Sequence, residues 1–255
     1  MLATHAPARP SRIPEPAWHT AAAPCAGQPG RSPCEGCGTR RVCAAARLDD
    51  EGHTAGAGWV GLRKVSAGEA VYRAGDPFRS LYVPRAGSCK SLSLNRDGRQ
   101  QITRFHLGGE VMGMDGIASG RHETEAIALE DSMLCVLPYR ELEVRADHSV
   151  SVHHTLQRLL SEEIVRSTRL LMLMNNLGAE ERLAMFLSDL AERYAARGYS
   201  TVAFNLRMSR EEIGLHLGMT LETVSRALSR LQARGLIERR YRQIRIVDSQ
   251  ALRDF

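Results

Sequence analysis

The chain has 255 residues, 43% of them hydrophobic and 25% charged, with a formal net charge of +5. That length accommodates two domains and the composition is that of a soluble globular protein. No stretch approaches the roughly 18 consecutive apolar residues of a membrane span, and the N-terminus lacks the apolar run of a signal peptide, so no membrane partner and a cytoplasmic location are expected.

Residues 1–33 contain Pro7, Pro10, Pro14, Pro16, Pro24, Pro29 and Pro33 among Ala and Arg, and read as a flexible tail. Residues 34–58 read as a loop-like segment that carries a cysteine cluster. Cys34, Cys37 and Cys43 are spaced C-x2-C-x5-C, with Cys25 upstream and Cys89 and Cys135 further on. In a cytosolic chain such cysteines serve as ligands or thiols more often than as structural disulfides. Three thiolates need one more ligand for a four-coordinate site, and the spacing leaves zinc, an iron–sulfur cluster and redox thiols open. Cys135 stands in an apolar strand, where it reads either as a ligand or as a small buried hydrophobe.

Residues 59–148 change to short apolar segments between turn signals. These segments are Ala70–Tyr72, Ser80–Val83, Ser91–Leu94, Ile102–Phe105 and Met133–Leu137, separated by pairs such as Gly108-Gly109 and Ser119-Gly120. Their spacing predicts a sandwich or rolled barrel.

Residues 149–177 turn helical. Leu160, Ile164, Ser167, Leu171 and Met174 follow 4-3-4-3 spacing, the seam of a two-helix coiled coil. Leu156, Leu159, Leu170 and Leu173 form a second apolar face, expected against the barrel. Residues 178–255 begin with a helix from Glu180 to Arg197, closed by Gly198.

Within this last stretch, Ser209 caps a helix and Glu212 completes an S-x-x-E box. Gly218 supplies a turn that tolerates positive φ. Thr220 caps a second helix, in which Leu221, Val224, Leu228 and Leu231 are expected to face inward. Glu222, Ser225 and Arg226 fall on its outer face, which a recognition helix presents to the major groove. Arg pairs with guanine, Glu accepts from cytosine, and Ser serves either role. Residues 237–247 read as a hairpin, the wing of a winged helix. From Ser200 onward there are ten Arg against six acids, so four of the five net positive charges sit here. A basic C-terminal module suits a phosphate-backbone partner, double-stranded DNA. A two-fold axis for a palindromic operator calls for a homodimer.

Taken together these motifs resemble the FNR branch of the FNR/CRP superfamily, from about Cys34 to Asp248. The matching residues are the C-x2-C-x5-C run, Phe105–Glu110, Ala128–Cys135, Ala179–Ala184 and Glu222–Arg226. The resemblance implies an α+β fold: a β-roll sensor domain of the cyclic-nucleotide-binding jelly-roll type, a long dimerisation helix, and a C-terminal winged helix-turn-helix. It implies a [4Fe–4S] cluster held by Cys34, Cys37, Cys43 and Cys135, with Cys25 and Cys89 outside the ligand set. It further implies an oxygen-responsive regulator whose intact cluster favours the dimer, which binds a TTGAT-N4-ATCAA-like palindrome and contacts RNA polymerase. Glu222 and Arg226 would read the G·C pair and Ser225 an adjacent T. Some members carry Asp at the seam position of Ser167, where like-charge repulsion makes dimerisation depend on the cluster.

Two other functions fit the sequence less well. A cyclic-nucleotide pocket needs Arg-Ser or Arg-Thr shortly after a Gly-Glu turn. Gly109-Glu110 is present, but Arg121-His122-Glu123-Thr124-Glu125 puts acids where the phosphate would sit, so no cyclic nucleotide is expected. An enzyme is not expected either, since the chain has no P-loop, Rossmann glycine pattern or H-E-x-x-H.

Overall fold

The computed structural model describes Cys34 and residues 37–50, 59–94 and 97–255. The tail over 1–33, with Cys25, and residues 51–58 lie outside the described residues.

Seven strands build the roll: β1 (Gly61–Val65), β2 (Ala70–Tyr72), β3 (Ser80–Ala86), β4 (Cys89–Leu94), β5 (Gln100–His106), β6 (Glu125–Ala128) and β7 (Ser132–Pro138). They pair antiparallel in two sheets, ordered β1-β7-β3 and β2-β6-β4-β5. The five apolar segments read from the sequence all lie in these strands.

Strand alternation sorts the side chains into layers. Leu134 of β7 joins Val65, Val71, Tyr72, Cys89, Ala126 and Ala128 between the two sheets. Its neighbours Cys135 and Leu137 point the other way, with Leu81 and Val83, into a second apolar layer. Helices cover that layer: α1 (Ala44–Asp50), α2 (Tyr139–His148) and the start of α3 (Val150–Asn176). The loop-like reading of residues 34–58 and the extension of the roll to 148 therefore each concealed a helix. Both helices are short, and α2 buries only Leu142, so neither shows a long apolar period.

Ser149 caps α3, its hydroxyl accepting from the Val152 N–H. The helix buries Val152, Thr155 and Leu159 near its start and then runs out of the layer. Leu159 and Leu156 pack toward the barrel as expected. Leu170 and Leu173 instead line a cleft with Phe186 and Leu217 of the C-terminal module.

That module comprises α4 (Ala179–Ala196), β8 (Ala203–Asn205), α5 (Arg210–Leu217), α6 (Leu221–Ala233), β9 (Ile237–Arg240), β10 (Gln243–Ile246) and α7 (Ser249–Arg253). Its core holds Leu183, Leu187, Leu190, Ile213, Leu228 and Leu231, each worth about 1.5–3 kcal/mol when fully buried. The wing is a three-stranded sheet, β8-β10-β9; the sequence showed its β9–β10 hairpin but not β8. The module docks on the four-stranded sheet through Leu92, Ile102, Phe105 and Leu107. Polar contacts fix the docking: Lys90 Nζ donates to Glu212 at 2.7 Å and Gln101 Nε2 to the Leu215 carbonyl at 2.6 Å.

Candidate functional site

The helix-turn-helix is built as its local signals require. Ser209 accepts from the Glu212 N–H while Glu212 accepts from the Ser209 N–H, a complete capping box. Gly218 ends α5 at φ 65°, in the left-handed region. The Thr220 hydroxyl accepts from the Thr223 N–H and caps α6. Val224, Leu228 and Leu231 are buried beneath α6. Leu221 is not: it is 45% exposed, because a first-turn residue beside the cap overhangs the module's edge.

Glu222 and Arg226 are exposed on the outer face, and Ser225 is half-buried beside them. Arg210 of α5 donates to the Ser225 hydroxyl at 3.3 Å. Arg226 donates to the Thr223 hydroxyl at 3.4 Å, which steadies the guanidinium along the helix. The Glu222 backbone N–H and the Thr220 hydroxyl hold the Glu222 carboxyl below its ordinary range, with Arg226 adding to them, so it is an acceptor only. The face therefore offers a fork of donors, an acceptor and a hydroxyl side by side, the set that reads base edges. Arg210 went unnoticed in the sequence because its partner lies across the turn.

The cysteines lie on the opposite side of the roll. Cys34, Cys43 and Cys135 are buried in the same apolar layer over the β1-β7-β3 sheet. Cys37 is half-buried, its sulfur 3.2 Å from the Thr39 hydroxyl. Cys89 is buried separately, between the two sheets. Cys43 immediately precedes α1, and the Ala45 and Ala46 N–H groups donate to its sulfur. Burial pushes the Cys43 thiol up; those N–H groups pull it back, and the nearby Cys37 adds to the rise. Three soft sulfur donors in an apolar layer, one already served by backbone N–H groups, with a fourth half-buried at Cys37, suit an iron–sulfur cluster in kind. They are not gathered: among the described residues, no three His, Cys, Asp or Glu side chains form a group poised to hold a metal.

The seam residues of α3 lie beyond its buried start. Ile164 and Leu171 are 67% and 61% exposed, Ser167 is exposed, and Leu160 and Met174 are half-buried. Exposed apolar side chains at that spacing form a stripe with no cover among the described residues.

In the Gly109-Glu110 region, Arg121 donates to the Gly75 carbonyl at 2.7 Å and Asp115 takes up Thr124. Glu110 instead meets Arg193 of α4 and Arg197 at its C-cap, a pairing across more than eighty residues that no local sequence signal marks. Among the described residues, no helix is long and apolar enough to cross a membrane.

A β-roll, a long helix and a winged helix-turn-helix with an outward recognition helix define a DNA-binding regulator of the Crp type. Residues 62–147 match the profile of the cyclic nucleotide-binding domain, and residues 181–255 that of the Crp-like helix-turn-helix domain. The chain is 44% identical to the transcriptional regulatory protein btr of Bordetella pertussis over 74% of its own length and 78% of the relative's. It is 36% identical to the fumarate and nitrate reduction regulatory protein of Escherichia coli K12, over 86% and 88%. The structure of FixK2 from Bradyrhizobium japonicum superposes with a TM-score of 0.70 at 32% identity, covering 76% of this chain and 96% of that one. The chain belongs to the CRP/FNR family of DNA-binding transcription regulators.

Proposed function

We propose that this regulator is a cytoplasmic, oxygen-responsive homodimer that senses through a [4Fe–4S] cluster held by Cys34, Cys37, Cys43 and Cys135. The observation that carries the reading is the burial of Cys34, Cys43 and Cys135 in one apolar layer, against the strand that bears Cys135. The E. coli relative's name, a regulator of fumarate and nitrate reduction, points the same way. When bound, such a cluster supplies an oxygen-labile centre whose integrity depends on all four thiolates.

The chain's own residues do the rest. The N–H groups of Ala45 and Ala46 stabilise negative charge on the Cys43 sulfur. Drawing the four sulfurs together would fix the 34–43 segment on β7, beside α1. That helix packs on α3, where Arg47 pairs with Glu162 at 3.5 Å. The ordered segment thereby favours the α3 arrangement in which Leu160, Ile164, Ser167, Leu171 and Met174 meet their two-fold mates. In the dimer Glu222, Ser225 and Arg226 read a TTGAT-N4-ATCAA-like palindrome, and the bound dimer contacts RNA polymerase. No cyclic nucleotide takes part: Glu110 is engaged by Arg193 of α4 and by Arg197 at its C-cap, and Arg121 is turned to the Gly75 carbonyl.

Anaerobic purification followed by iron, sulfide and zinc analysis tests this reading. Four irons and four sulfides per chain, with visible absorbance that fades on admitting air, are the expected result. One zinc and no response to air would replace the cluster with a structural metal and overturn oxygen sensing.

A further inference from the structure

Glu110 is a carboxylate with its side chain only 11% exposed, which neither the recognition helix nor the cysteines use. It stands in the turn after β5, and three arginines converge on it. Arg104 of β5 donates to Oε2 at 3.1 Å. Arg193 of α4 donates to Oε1 at 3.0 Å and to Oε2 at 2.7 Å. Arg197, one helical turn on, donates to Oε1 at 2.6 Å. These are charge-assisted bonds between groups withdrawn from water, where removing one partner costs far more than at a surface.

The same turn is gripped from the cysteine side. The Ala44 N–H, next to Cys43, donates to the Gly109 carbonyl at 2.8 Å. A Cβ on Gly109, at φ +88°, would lie 3.1 Å from Cys43 Cα and 3.2 Å from the Val42 carbonyl oxygen. Arg197 Nε donates to the adjacent Gly108 carbonyl at 2.7 Å. A third branch leaves through Arg104, which also bonds Glu163 of α3, the neighbour of seam residue Ile164.

One three-residue turn thus touches the cysteine segment, the first helix of the DNA-binding module and, through Arg104, the dimer helix. We propose that the Gly108–Glu110 turn is the relay that couples the position of the cysteine segment to α4 and α3, with Glu110, Arg193 and Arg197 as its positioning residues. A shift at Cys43 displaces the Gly109 carbonyl; the turn, which the Gly109 N–H also ties to the Pro84 carbonyl of β3 at 2.7 Å, then keeps its bonds to Arg193 and Arg197 only if α4 follows. The carboxylate's arginine partners all come from this chain. The identity of the signal rests on the oxygen-sensing reading; the coupling does not, because every contact in it belongs to the protein.

Linkage makes the coupling reciprocal, so it is measurable from either end without a cluster. Hydrogen exchange on the full-length apoprotein tests it in Arg197→Gln, Arg197→Lys and Gly109→Ala. Arg197→Gln is expected to raise amide exchange in residues 39–48 by about 5–150-fold, the usual span of coupling between linked sites. Arg197→Lys, which keeps a charge beside Glu110, should recover part of that protection. Gly109→Ala should raise exchange across residues 190–198. Residues 132–138 of β7, which carry no contact to the turn's arginines, report global loosening and should stay unchanged.

Exchange confined to the mutated end, or rising equally in β7, overturns the relay. Should Arg197→Gln fail to fold, Gly109→Ala and Arg197→Lys pose the same question, with the same outcomes. Iron and sulfide analysis of the anaerobic wild-type protein separates the two ideas. A chain without a cluster defeats the sensor reading and leaves the exchange result standing.

Discussion

The recognition helix and the cysteine segment lie on opposite sides of one roll, and they differ in how far each is built. The outer face of α6 is finished within the protein. Two caps, a left-handed glycine and a buried apolar stripe fix α6, and Arg210 and Thr223 steady its polar side chains. The cysteine side has three of its sulfurs, Cys34, Cys43 and Cys135, in a common layer, but among the described residues they are not gathered into a metal-holding group. A reader of DNA gains from rigid presentation, whereas a sensor needs a part whose arrangement depends on what it holds. The Gly109-Glu110 turn lies between the two: the Gly109 carbonyl accepts from Ala44 beside Cys43, and the Glu110 carboxylate accepts from Arg193 and Arg197.

The two regions should part most widely at Cys135. Cys135→Ala is expected to abolish the cluster while leaving the winged helix intact. The check is iron and sulfide content after anaerobic purification, with nonspecific DNA binding as the control. A variant that retains full iron and sulfide would remove Cys135 from the ligand set.

Next in size is the hub between the two regions. Glu110→Gln leaves three arginines facing a neutral amide and is expected to destabilise the protein by about 3–5 kcal/mol, the usual cost of breaking a buried ion pair. Burial pushes the Glu110 carboxyl up, but the guanidiniums of Arg193, Arg104 and Arg197 overcome it and hold it well below its ordinary 4.5. A carboxyl depressed on folding contributes stability that is present above its unfolded value and is lost as pH falls through the folded one. The difference between wild type and Glu110→Gln should therefore be full at neutral pH and shrink below about pH 4.5. Urea unfolding at several pH values measures it; a gap independent of pH would place the loss in packing rather than charge.

The DNA side is sharpened by Arg226→Ala. Loss of a bidentate guanine contact is expected to cost about 1–3 kcal/mol at the cognate operator and to relax base choice at that one position. Fluorescence anisotropy on the cognate site and on a site with that base pair exchanged distinguishes the outcomes. Equal weakening on both would make Arg226 a phosphate contact.

How much of this was legible in the sequence follows the same division. The helix-turn-helix is written in short-range code: Ser209 with Glu212, Gly218 and Thr220 each act within four residues, and each stands where its chemistry requires. The capped start of α3 at Ser149 is local in the same way. Leu221 misled because helical periodicity marks a face without saying where the supporting core ends. Helices α1 and α2 were hidden by shortness, and β8 by having only three residues, paired with a strand forty positions on. The Glu110 hub was hidden by distance. Glu110 and Arg197 are separated by 87 residues, and Arg193 and Arg197 read alone as ordinary helix-surface charges.

A change at the cap of α6 tests whether that helix is self-contained. Thr220→Ala removes the oxygen that accepts from the Thr223 N–H and also removes a neighbour of the Thr223 hydroxyl. An N-cap threonine replaced by alanine costs about 1 kcal/mol, and glycine only a few tenths less than threonine itself. Thermal unfolding should report that loss for Thr220→Ala, with Thr220→Ser close to wild type. Because Thr223 also receives Arg226 at 3.4 Å, the cap and the reading side chain share one hydroxyl. Operator affinity should then fall along with stability in Thr220→Ala. Iron and sulfide content should not change, since the cap and the cysteine segment share no bonded neighbour. A cap that alters cluster content would mean that the two sides of the roll are not separable, and that the rigidity of the reading helix depends on the sensor.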